Sequence, residues 1–147
     1  MTPRYALLVP AFLAYACGPR PPAKETHVRK PGNTAQALAA KLDVSVAKGV
    51  HLAFHVSNEA SKAIELNFPS GHTHDFVVTD TTGREVWKWS DGRLFTQAMQ
   101  NKVLGREESV AYRADWDSGS LHGTYIAVVS LRSENHPMEH RVRFELP

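Results

Sequence analysis

The stretch Leu42-Asp43-Val44-Ser45-Val46-Ala47-Lys48-Gly49-Val50-His51-Leu52-Ala53-Phe54-His55-Val56 decides the fold. Apolar residues stand at every second position on both sides of Lys48-Gly49, and successive side chains of an extended chain point to opposite faces. Each arm therefore carries one apolar and one polar face, with Lys48-Gly49 as the turn between them. The pattern predicts an opening β-hairpin with one face wet.

Downstream the same alternation recurs in short runs. Ile64, Leu66 and Phe68 are stopped by Pro69-Ser70-Gly71. Phe76-Val77-Val78 leads through the polar turn Asp80-Thr81-Thr82-Gly83 into Val86-Trp87-Lys88-Trp89. Further strands are expected at Lys102 to Leu104, Val110 to Trp116, Tyr125 to Leu131 and Val142 to Leu146. Eight or nine short strands with a turn signal every ten residues or so predict an all-β chain, a sandwich of two antiparallel sheets. Tyr125 to Leu131 is apolar on both faces, which predicts a central strand packed on both sides. Tyr125 is expected to bury its ring and bond its hydroxyl to a neighbouring loop. Leu94 to Gln100 reads as a loop or single turn, and the Ala-rich Thr34 to Lys41 as a helical turn before the first strand.

With 147 residues the chain holds one domain once a non-globular start is set aside. Its 17 Lys and Arg nearly cancel its 15 Asp and Glu, so no polyanion such as nucleic acid is indicated as partner. The single cysteine, Cys17, excludes an internal disulfide. Before it runs the uncharged apolar segment Tyr5 to Ala16, too short to span a bilayer and suited to the apolar part of an export signal. Leu13-Ala14-Tyr15-Ala16-Cys17 resembles a bacterial lipobox, which implies a signal peptide over residues 1 to 16, lipidation of Cys17 and an exported protein anchored in the cell envelope. Ordinary signal cleavage after Ala16 is the alternative. Residues 17 to 37 carry Arg20, Lys24, Arg29 and Lys30 against Glu25, with Pro19, Pro21, Pro22 and Pro31, and read as a basic, extended linker to a domain over 38 to 147.

Phe68-Pro-Ser-Gly71-His72-Thr-His74-Asp75-Phe76 through Trp87-Lys-Trp89-Ser90-Asp-Gly92-Arg93-Leu-Phe95-Thr96-Gln97-Ala98 resembles the core of the BsuPI family, the bacterial intracellular proteinase inhibitor domain. Leu104-Gly105-Arg106-Glu107-Glu108-Ser109, Trp116-Asp117 and Gly123-Thr-Tyr125 are similar to later parts of the same family. The resemblance implies an immunoglobulin-like sandwich without cofactor and a protein partner, a serine proteinase among the candidates.

Chemistry-bearing residues are few. Ser70-Gly71-His72 lacks the G-x-S-x-G elbow of a hydrolase and reads as a turn, so no catalytic residue is assigned. His72 and His74 stand two apart, on one side of an extended segment, and could hold one edge of a copper or zinc site with a third ligand from His51, His55 or Asp91. His51, His55, His136 and His140 otherwise read as surface residues. Trp87 and Trp89 share a strand face and are expected to help close the core. The loop after them, Ser90 to Met99, carries Arg93, Phe95 and Gln97, and together with Trp89 these are the candidate partner-binding residues; the loop is either a binding surface or a plug over the end of the sandwich. The expected function is that of a non-enzymatic, exported protein-binding module. An envelope metal-binding protein using His72 and His74, or a structural adaptor, are the alternatives.

Overall fold

Residues 37–147 are described by the computed structural model. The expected signal segment, Cys17 and the expected linker up to residue 36 lie outside them. Period-two alternation builds nine strands among the described residues: β1 Leu38–Val46, β2 Val50–Asn58, β3 Ile64–Phe68, β4 His74–Asp80, β5 Glu85–Lys88, β6 Gln100–Leu104, β7 Ser109–Trp116, β8 Gly123–Leu131 and β9 Met138–Leu146. All pair antiparallel, in a three-stranded sheet ordered β1-β2-β7, a four-stranded sheet ordered β5-β4-β8-β9, and a β3-β6 ribbon. The all-β sandwich is therefore as expected. Leu38 to Lys41, assigned to a helical turn on alanine content, instead open β1, because pairing with β2 satisfies their backbone.

The opening hairpin pairs Leu42 with Phe54, Val44 with Leu52 and Val46 with Val50. Val50, Leu52, Phe54 and Val56 point inward and are essentially inaccessible. They meet Phe76, Val78, Tyr125, Ala127, Val129 and Leu131 of the second sheet in one continuous apolar cluster. The aromatic rings join the layers: Trp116 of β7 lies 6.0 Å from Trp87 and 6.1 Å from Tyr125. Tyr125 is buried and its hydroxyl donates to the His122 carbonyl, as its position predicts.

β8 is central, between β4 and β9, but it is not packed on both faces. Ile126 and Val128 remain half-exposed on the outer surface. Their partners on β9 are Arg143 and Arg141, whose long stems can shield apolar neighbours while keeping the charge in water. A second correction concerns His140. It lies on the inward side of β9, half-buried, with its ring 5.7 Å from Phe54.

The alternation of β2 ends in a polar residue that is buried. Asn58 Nδ2 donates to the carbonyls of Lys62 at 2.8 Å and of Leu104 and Gly105 at 3.0 Å, and its Oδ1 accepts from the Ala60 N–H. An amide has two N–H hydrogens, so two of these three carbonyls share one. This side chain fastens the end of β2 to the β3-β6 ribbon.

Candidate functional site

The end of β3 runs through Pro69-Ser70-Gly71 into β4, and this connection receives the Ser90 to Met99 loop. The Gly71 N–H donates to the Thr96 carbonyl at 2.9 Å. A β-carbon on residue 71 would stand 2.6 Å from Thr96 Oγ1 and 3.3 Å from its backbone nitrogen, so glycine is what lets the loop come this close. Ser70 Oγ accepts from the His72 N–H, a turn role with no access to a reacting group.

Aromatic side chains then stack between the loop and the sandwich. His72 lies face to face with Phe95, ring centroids 4.2 Å apart and planes 9° from parallel. His74 packs 4.5 Å from Trp89 and 4.3 Å from Tyr112 of β7. Trp89 and Phe95 are 5.7 Å apart. Above Trp89, the Arg93 guanidinium sits 4.4 Å from the ring centroid while its Nε donates to the Trp89 carbonyl at 2.8 Å. Cation–π stacking and a charged donor hold this arginine against Trp89, just past the end of β5.

Asp75 secures the start of the loop from below. Its carboxylate is buried and accepts from Ser90 Oγ at 2.6 Å and from the Ser90 N–H at 3.2 Å. His72 Nε2 is 3.2 Å from the same carboxylate, but forms no hydrogen bond with it. Ser90, Asp75 and His72 thus hold the letters of a catalytic triad in the wrong order. The serine donates to the carboxylate and no base reaches it. Burial lowers the pKa of both histidines, with Arg132 adding to the effect at His72 and Asp75 opposing it at each. His74 is brought down to about 4.

Of the residues expected to bind a partner, Trp89 and Phe95 are half-buried braces, Arg93 is exposed yet pinned, and Gln97 is exposed with its amide donating to the Phe95 carbonyl. The underside of the loop packs on the sandwich as a plug, and its crest faces water. Leu94 is fully exposed and Met99 is 69 % exposed. Sequence reasoning passed over both; for Leu94 the available signal was an apolar residue set between Arg93 and Phe95.

His72 and His74 do lie on one side, both near Trp89. Their neighbours are aromatic rings and Asp75 rather than the third ligands considered for a metal. His51 and His55 lie on the outer face of the β1-β2-β7 sheet, beside Asp115 and Asp43, and Asp91 is exposed in the turn after Ser90. No group of three or more His, Cys, Asp or Glu converges among the described residues. One shallow groove of about 390 Å³ lies elsewhere, between Leu38 to Ala40 of β1 and Pro137 to His140 at the entry to β9.

The sequence profile described as "BsuPI: Intracellular proteinase inhibitor" matches residues 38–136, and the chain belongs to that family. It is a non-enzymatic family of proteinase inhibitors. No curated protein matches the chain. Among solved structures, the Pseudomonas fluorescens alkylpurine DNA glycosylase AlkC bound to DNA is similar at 12 % identity and a TM-score of 0.40, over 74 % of this chain and 30 % of that one. A Bacteroides uniformis β-glucuronidase is similar at 13 % identity and 0.39, over 74 % and 13 %. The chain spans less than a third of either protein, and likeness at this level carries no argument.

Proposed function

We propose that this domain inhibits an endopeptidase of the serine class by reversible, non-catalytic binding through the Ser90 to Met99 loop. The observation that carries this reading is the loop's construction. Its crest is open to solvent while Asp75, His72 and Trp89 fix its base, so little conformational freedom is left to lose on binding. The test is inhibition of a panel of serine endopeptidases, followed with fluorogenic substrates. The parent is expected to inhibit at least one, and an Arg93→Ala, Phe95→Ala double variant that stays folded by circular dichroism to weaken it at least about tenfold. Equal inhibition by the two proteins would remove the loop as the site.

The proposed setting is outside the cytoplasm, in the cell envelope, with the domain anchored through Cys17 on its basic linker. The uncharged Tyr5 to Ala16 run and the cysteine that follows it support this. Metabolic labelling with a radioactive fatty acid is expected to mark the wild-type chain and to miss Cys17→Ala. Equal label on both, or none on either, ends the anchored reading.

A further inference from the structure

We infer that Leu94 is the side chain this domain places in its target's primary specificity pocket, and that the target is an endopeptidase with an apolar pocket rather than an acidic one. The inference rests on the inhibitor reading above and goes further by assigning the contact and the pocket chemistry.

The loop offers two residues that a specificity pocket could take, Arg93 and Leu94, and they are held differently. Arg93 is committed inward: its Nε donates to the Trp89 carbonyl at 2.8 Å and its guanidinium covers the Trp89 ring at 4.4 Å. To reach an acidic pocket it would have to give up both contacts. Leu94 gives up nothing. Its side chain is fully exposed, and no hydrogen bond among the described residues engages its backbone N–H or carbonyl.

The residues on either side are fixed. The Arg93 N–H donates to the Ser90 carbonyl at 3.1 Å, the Phe95 ring stacks on His72, and the Thr96 carbonyl accepts from the Gly71 N–H. One free apolar side chain, with free backbone groups, is thus presented between two anchored neighbours. A segment in this state can be bound like an extended substrate with its ordering cost already met. An exposed leucine also has a physical reason to enter an apolar pocket, since transfer from water favours it. Met99 is less exposed and stands four residues beyond Phe95, outside the braced segment.

The experiment measures inhibition constants of the whole folded chain, its Leu94→Asp and Leu94→Arg variants, and a Val103→Asp control at another exposed apolar site on β6. The probes are chymotrypsin and subtilisin, with apolar pockets, and trypsin, with an acidic one. The parent is expected to inhibit an apolar-pocket enzyme and spare trypsin. Leu94→Asp should weaken that inhibition by at least about 100-fold, Leu94→Arg should transfer inhibition to trypsin, and Val103→Asp should match the parent. If the parent inhibits and Leu94→Asp does so equally well, or if the parent prefers trypsin, the assignment of Leu94 is wrong while the inhibitor reading stands. Rapid cleavage after Leu94 without inhibition also overturns it, marking the loop as a substrate. A parent that inhibits none of these enzymes nor any other serine endopeptidase removes the inhibitor reading and this assignment together.

Discussion

An Asp75→Ala variant is expected to unfold at a free energy about 3 kcal/mol below the parent, measured by urea denaturation at pH 7. The buried carboxylate accepts both the Ser90 hydroxyl and the Ser90 N–H, and alanine supplies neither with a partner. A donor left without an acceptor away from water costs roughly 1–3 kcal/mol. Asp75→Asn, which keeps an acceptor oxygen, should lose about half as much. Because Ser90 begins the loop, Asp75→Ala should weaken proteinase binding more than its loss of global stability implies. A parent-like midpoint for Asp75→Ala would show that Ser90 is not held by this carboxylate.

The second large effect is on pH. An unfolded chain titrates its histidines near 6.5, while His74 in the fold is held to about 4 because burial between Trp89 and Tyr112 disfavours its charged form. Between these values the unfolded chain binds a proton that the folded ring refuses. Stability is therefore full above about pH 6.5, falls as pH drops toward 4, and has lost the whole contribution below that. A gap of this size corresponds to about 3 kcal/mol, and the ring's partial exposure reduces the expected loss to about 2 kcal/mol between pH 7.5 and pH 4. His72 shifts in the same direction and adds to it. In a His74→Phe variant, which keeps an aromatic ring and cannot titrate, the fall over this range should be about 2 kcal/mol smaller. Parallel pH profiles for the two proteins would rule out His74 as the source.

Most of the fold was legible because one periodicity decides it. The runs from Leu42 to Val56 and from Val142 to Leu146 announce which face is buried, and the register of β1, β2 and β9 follows. What alternation cannot report is whether a face turned away from the core meets a second layer. That is why Ile126 and Val128 read as doubly buried. Asn58 and His140 also point inward, at positions where the apolar pattern continues with a polar residue. Their signal was present, but their partners come from distant segments.

The candidate site was legible in outline and not in its division of labour. Arg93, Phe95, Gln97 and Trp89 did mark the loop. Which of them brace it depends on His72, Gly71 and Asp75, supplied by another connection in the chain, and nothing in the local sequence shows that Phe95 turns under while Leu94 stays in water.

The pairing of β2 with β7 bears on how fast this architecture can form. It joins Val50 to Trp116 and Ser57 to Ser109, so more than fifty residues separate every pair along the ladder, whereas the β1-β2 turn joins neighbours in sequence. The hairpin is a microsecond event, but the two sheets can close only after long intervening segments are brought together, and all-β domains dominated by such pairings fold in about milliseconds to seconds. The His72, Trp89 and Phe95 stack draws on two separate connections, one before β4 and one after β5, and so needs that closure before it can form. The loop can therefore set only once the two ends of the β2-β7 ladder have met.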